Sequence, residues 1–190
     1  MARWEWRTFG DELGAAGERL AALEPELVTE SDEVYLLSAG GVDAVKLRDG
    51  LMDVKHLEQV DADGLELWRP VLKAPLPVSA ADAGTVLAAL QVDAALEGDA
   101  YDLPGLVAAA DGEIRAVDVH KSRRHVTVRG CMAELTDLRA GGRSTRTIAI
   151  EAEDPARVIA AVRELGLGAR PNVSMPQVLR ALTGDGGGRG

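Results

Sequence analysis

In segment after segment of this chain, charged residues fall on every second position and apolar ones on the positions between. Residues 3–9 read RWEWRTF, which puts Arg3, Glu5 and Arg7 on one face of an extended strand and Trp4 and Trp6 on the other. Lys46 and Arg48 lie together in 43–48, opposite Val45 and Leu47. Asp53 and Lys55 lie together in 51–57, opposite Met52 and Val54. Glu134 and Thr136 share a face of 131–138, and Ala149, Glu151 and Glu153 share a face of 145–153, opposite Ile148 and Ile150. In 117–123, Lys121 and Arg123 share theirs with Val117 and Val119. A half-exposed sheet would explain any one of these strands, with its charges in water. It explains less well why acids and bases appear together on nearly every polar face. A sheet closed into a barrel with helices outside would turn those faces inward. Isolated buried charges are too costly for such a lumen to be dry, so it would hold water, metal ions and a charged ligand. Bases suited to phosphate oxygens and acids suited to a divalent cation then point to one ligand, a metal–polyphosphate complex.

The punctuation between these strands agrees. Asp49–Gly50 between two alternating runs is a hairpin signal. Further strands are expected over 33–38 and 65–73, where Pro70 confines the second to an edge or a bend. Four strands are expected over 113–123, 124–129, 131–138 and 145–153, a meander turning at Gly130 and at Gly141–Gly142. Helices are expected over 11–23, ended by Pro25; over 80–90, capped by Ser79; over 155–165, opened by Asp154–Pro155 and closed by Gly166; and over 174–182. Residues 93–112 carry Gly, Pro and Asp at intervals and give no definite element. The fold class is α+β, an antiparallel β-barrel or tunnel with helices packed outside. It reads as one domain over 1–183, followed by a Gly-rich tail, 184–190, expected to be disordered.

Composition bounds the rest. Apolar residues are 46% and aromatics only 3%, so the core must be built mostly from Leu, Val, Ile and Ala. A net charge of −10 argues against general nucleic-acid binding and leaves room for a local basic pocket. The lone cysteine, Cys131, excludes an intrachain disulfide and a paired-cysteine zinc site. No apolar run has signal-peptide or membrane-spanning length, so the expectation is a cytoplasmic protein with no membrane partner. A homodimer stays open. Trp4, Trp6 and Trp68 read as core residues beneath helices, with anchors for a protein partner as the rival reading. His56 falls on the apolar face of its strand. His120 and His125 flank the basic cluster on a different face from Lys121 and Arg123, in surface or structural roles.

With these residues in place, the chain resembles the triphosphate tunnel metalloenzymes, the CYTH superfamily, from residue 3 to about 182. VKLRDGLMDVKHLE, 45–58, is similar to the family's paired strands with a basic pair followed by a lysine, here Lys46, Arg48 and Lys55. VHKSRRHVTVRG, 119–130, is similar to its K-x-R strand and hairpin partner, here Lys121 and Arg123. MAELTDL, 132–138, resembles the strand before the acidic one, RTIAIEAEDPARVIAAVRELGL, 146–167, the acidic strand with its helix, and VSMPQVL, 173–179, the final helix. The family's E-x-E-x-K reads Arg3, Glu5 and Arg7 here, and its late E-x-E falls on Ala149 and Glu151, with Glu153 one inward position further on.

The resemblance implies metal-dependent hydrolysis of inorganic triphosphate, polyphosphate or an organic triphosphate. Lys46, Arg48, Lys55, Lys121 and Arg123 would grip phosphates, and Glu5 and Arg7 would be catalytic. Glu151, Glu153 and Glu134 would hold Mg2+ or Mn2+. The alternative is a non-catalytic polyphosphate- or polyanion-binding module with a degenerate metal site. A cyclase ranks last, since no feature selects adenine.

Overall fold

The computed structural model describes residues 1–184. Its strands are β1 (Arg3–Gly10), β2 (Leu27–Leu37), β3 (Ala44–Arg48), β4 (Leu51–Val60), β5 (Glu66–Pro75), β6 (Val78–Ser79), β7 (Ala100–Tyr101), β8 (Arg115–Val128), β9 (Cys131–Ala140) and β10 (Arg143–Ala152). Eight of them close into an antiparallel barrel in the order β1-β10-β9-β8-β2-β3-β4-β5, and β6 pairs with β7 separately. The helices are α1 (Gly14–Ala22), α2 (Ala80–Ala89), α3 (Leu103–Ala109), α4 (Pro155–Glu164) and α5 (Met175–Thr183). The expected α+β barrel is the observed fold. Of the expected tail, residues 185–190 lie outside the described residues, and Gly184 is the C-cap of α5. Among the described residues no helix is long and apolar enough to cross a membrane.

Three hairpins carry both turn residues at positive φ: Asp49–Gly50, Arg129–Gly130 and Gly141–Gly142. That backbone matches the right-handed twist of the flanking strands, which is why these dipeptides mark the turns so clearly. The helix starts are equally local. Ser79 accepts from the Asp82 amide, Asp154 from the Ala156 amide, and Ser174 with Gln177 forms a capping box.

Elsewhere the structure corrects the sequence reading. The two strands expected over 113–129 are one 14-residue strand, β8, since nothing between Val119 and Val128 can turn the chain. The strand expected at 33–38 begins at Leu27 and pairs with β8 along its whole length. Of the edge or bend expected at Pro70, the closed sheet excludes the edge, and Pro70 lies at an irregularity, the register shift where β4 and β5 pass from Val54↔Leu72 to Lys55↔Pro70. Residues 93–112 supply β7 and α3, the latter capped by Asp102.

The alternation sorts the barrel into an outside and an inside. Outward apolar residues pack under helices in two layers. Trp6, Ile148 and Ile150 meet α1 and α4 through Leu20 and Val158, with Cys131 in the same cluster. Val45, Met52 and Val54 meet α2 and α3 through Val86, Leu87 and Leu106. A third cluster lies on the inward phase: Tyr35, Leu37, Val117, Val119, Leu138 and Ala140 pack around Met175 and Leu179 of α5. The barrel is therefore filled at one end by α5, and the lumen is a cup. Asn172 ties the approach to α5 to the wall, accepting from the Arg7 amide at 2.6 Å and donating to the Gly64 carbonyl at 2.7 Å. Arg180 donates to the Ser38 carbonyl at 3.2 Å.

Leu179 is fully buried in this plug. Leu179→Ala should lower unfolding free energy by about 2–5 kcal/mol, read from the midpoint of urea unfolding. A loss no larger than that of an exposed leucine would show that α5 is not packed in the barrel.

Candidate functional site

Above the plug the lumen opens into a cavity of about 660 Å³. Its two walls carry opposite charge. Lys121 and Arg123 on β8, Lys46 and Arg48 on β3 and Lys55 on β4 line one side, with Asp53 of β4 among them. Glu134 on β9, Glu151 on β10 and Glu5 on β1 line the other. All five residues expected to grip phosphate therefore converge on one space with Glu5, Arg7, Glu134 and Glu151. Glu153 does not join them. It falls past the end of β10, exposed, and so drops out of the metal set.

Besides Asp53, each wall encloses a residue of the opposite sign. In the basic wall it is Glu33 of β2, whose side chain is fully buried. Its carboxylate accepts from Arg123 at 2.5 Å and Lys121 at 2.9 Å, with Lys46 at 3.4 Å and Arg48 at 3.6 Å. Burial pushes its pKa up, but Lys121, Lys46 and Arg123 outweigh burial and hold it well below the usual carboxylate range. Lys121 is pushed down to about 7, by burial first and by Lys46, Arg123 and Arg7 as like charges, against the pull of Glu33. Its ammonium also donates to the Tyr35 hydroxyl at 2.7 Å and sits over that ring, 4.7 Å from the centroid.

In the acidic wall the odd residue is Arg7 of β1. Its Nε donates to Glu5 at 2.7 Å, and Nη1 lies 3.7 Å from Glu134. Glu5 and Glu134 raise its pKa further despite burial. Glu5 and Glu134 both end below their ordinary values, since the attraction of Arg7 and its neighbours outweighs their burial. Among the described residues, Arg7 Nη1 is buried with no hydrogen-bond partner. It is a donor whose hydrogen-bonding capacity the protein leaves unused, beside Glu134.

Three residues escaped the sequence reading. Glu33 opens EVYLLS, an apolar-looking strand in which a lone acid reads as a strand end. Its parity with Tyr35 was the available signal. Glu66 stands opposite Glu5 across β1 and β5, while Glu151 stands opposite Glu5 across β1 and β10. Three carboxylates thus sit in register on adjacent strands. Burial and the nearby Glu5 raise Glu66 to about 7, against a hydrogen bond from Trp68 Nε1 at 3.2 Å. Trp68 itself lines the lumen, a correction to its assignment beneath the helices; Trp4 and Trp6 do pack there. The third is His125. Because β8 is a single strand, His125 is in phase with Lys121 and Arg123, lines the cup, and pairs with Thr29 at 3.2 Å. His120 and His56 lie outside the cup, paired with Asp32 at 2.8 Å and Asp43 at 2.9 Å.

The Glu66–Glu5–Glu151 row offers hard oxygen donors on three adjacent strands. That donor set suits Mg2+ or Mn2+, which keep several waters and need only one or two carboxylates with phosphate oxygens. Among the described residues no three acidic, histidine or cysteine groups form a preassembled metal cage. Arg3 lies 3.5 Å from Glu151.

No protein-family model matches this chain, and no curated protein matches it. Solved structures do. A candidate adenylyl cyclase from Hippeastrum, described as having a dominant triphosphatase activity, matches with a TM-score of 0.51 at 14% identity, covering 95% of this chain and 96% of its own. A candidate adenylate cyclase from Bacillus halodurans matches with a TM-score of 0.53 at 11% identity, covering 93% and 97%. Likeness at such low identity is likeness of fold, and it agrees with strand order, alternation and lumen: this chain has the triphosphate tunnel fold of the CYTH proteins.

Proposed function

We propose that this protein binds a triphosphate, inorganic or organic, or the end of a polyphosphate chain in the cup and hydrolyses a phosphoanhydride bond with a divalent metal ion. The observation that carries this is the convergence of Arg7, Lys46, Arg48, Lys55, Lys121 and Arg123 on one cavity. The triphosphatase activity described for the Hippeastrum protein supports the same reading.

The residues divide the work by wall. Lys46, Arg48, Lys55, Lys121 and Arg123 hold phosphate oxygens by charge-assisted hydrogen bonds and fix the ligand's register. Arg7, with its unpartnered Nη1, meets charge that develops on the transferring group. Glu5, Glu66 and Glu151, with Glu134 beside them, would hold Mg2+ or Mn2+, which supplies Lewis acidity and lowers the pKa of bound water. A second reading has its own observation: Arg3 against Glu151, and Ala149 in place of a carboxylate, weaken the metal side and leave the phosphate side whole. On that reading the protein is a polyanion-binding module.

Phosphate release from tripolyphosphate with Mg2+ or Mn2+, and with a chelator as control, separates the two. The enzyme reading expects metal-dependent release; binding without release favours the module, and neither removes both. Arg48→Ala with Lys55→Ala removes two partly exposed cations and should weaken tripolyphosphate binding at least about 100-fold by calorimetry, since each charged hydrogen bond contributes roughly 1.5–3 kcal/mol. An unchanged affinity would place the ligand elsewhere.

Glu151→Gln should cut turnover far more than ligand binding measured in chelator. Equal losses would argue against a metal role for Glu151. Glu66 supplies a pH test. Its folded pKa, about 7, is above that of an unfolded glutamate, so the folded state holds the extra proton between roughly pH 4.5 and 7. Its stability contribution is complete below that window and is lost as pH rises through 7. With chelator present, the wild-type melting temperature should fall across that window more than that of Glu66→Gln. Parallel curves would show that Glu66 is not protonated in the fold.

A further inference from the structure

Glu33 has no task in the reaction as described, yet it is the most enclosed charge of the basic wall, behind the lysines and arginines that line the cavity. It is held in β2 by pairing with β3 and β8, opposite Arg48 and Val119. Its carboxylate meets Lys46, Arg48, Lys121 and Arg123 within 3.6 Å, and Ser31 donates to it at 3.3 Å. No other acidic group of the basic wall reaches so many cations. Two oxygens with a negative charge at the meeting point of four cations have the chemistry of one phosphoryl group, tethered to the protein.

We propose that Glu33 is a built-in counter-anion, a tethered stand-in for one phosphate, which stabilises the basic wall when the cup is empty and limits how tightly the cup holds a polyanion. The inference rests on the polyanion-binding part of the proposed function and goes beyond it by assigning the affinity-setting residue. Two opposing effects follow from charge alone. Without ligand, removing Glu33 leaves close, buried like charges uncompensated. With ligand, removing it takes away a negative charge that repels phosphate across a few ångströms of low-dielectric lumen. A structural acid that merely orients the cations would give the first effect and the reverse of the second, because disordered cations bind more weakly.

The test is Glu33→Gln, which keeps shape and loses charge, with Glu33→Asp as the charge-conserving control. Tripolyphosphate binding is measured by calorimetry in chelator, and thermal melting with and without millimolar tripolyphosphate. Glu33→Gln should melt below wild type when empty, recover most of the difference with tripolyphosphate, and bind it at least about ten-fold more tightly. Glu33→Asp should stay close to wild type in affinity. If the protein turns over, the Gln variant should show lower KM and lower kcat together, with stronger inhibition by orthophosphate. Equal or weaker binding by Glu33→Gln overturns the proposal. Failure of that variant to fold even when refolded with tripolyphosphate overturns it as well, because the ligand then cannot replace the carboxylate. If folded wild type binds no tripolyphosphate, the polyanion reading falls and this inference falls with it, an outcome distinct from the other two.

Discussion

Closure of the sheet is the constraint on which the rest depends. An open sheet with this alternation would leave its charges in water, and no partner would be needed for any of them. Once β1 meets both β5 and β10, the faces that carry Glu5, Arg7, Lys46, Arg48, Lys121 and Arg123 turn inward, and these ions must find partners in a confined space. The two walls meet that demand reciprocally, Glu33 among bases and Arg7 among acids. Helices α1 to α4 follow from the same closure, since they cover the apolar faces that closure turns outward.

Much of this was legible in the sequence because both signals are local. Parity along a strand separates Trp4 and Trp6 from Glu5 and Arg7 without knowledge of the partner strand, and Asp49–Gly50 marks its hairpin by itself. What escaped depends on pairings distant in sequence. Glu33 is buried because β2 lies against β8, with Glu33 opposite Val119, and no local pattern announces that. Glu66 joins the acidic row through pairing with β1, and Pro70 nearby made its strand look like an edge. His125 was assigned to the wrong face because a false break at Arg123–Arg124 separated it from Lys121 and Arg123, with which it is in phase. Glu153 erred the other way: parity placed it in the lumen, but the strand ends at Ala152, and phase has no meaning past a strand's end.

The charge division also makes the lumen dipolar. A metal–triphosphate complex is itself dipolar, anionic along the phosphates and cationic at the metal. Such a ligand is oriented by the whole cavity before any single contact forms, which bears on orientation and capture more than on affinity. Arg3 beside Glu151 blunts the acidic pole, so the two poles of this cup are unequal in strength.

The plug formed by α5 gives the site a single doorway. Whatever enters the cup must leave by the same rim, where Arg48 and Asp49 stand. Under the proposed function, a long chain would be met only at its terminus, and a fragment released near the floor would leave only after the remaining chain had shifted outward. Cleavage would then proceed from an end, with traffic at the mouth bearing on its pace as much as the bond-breaking step.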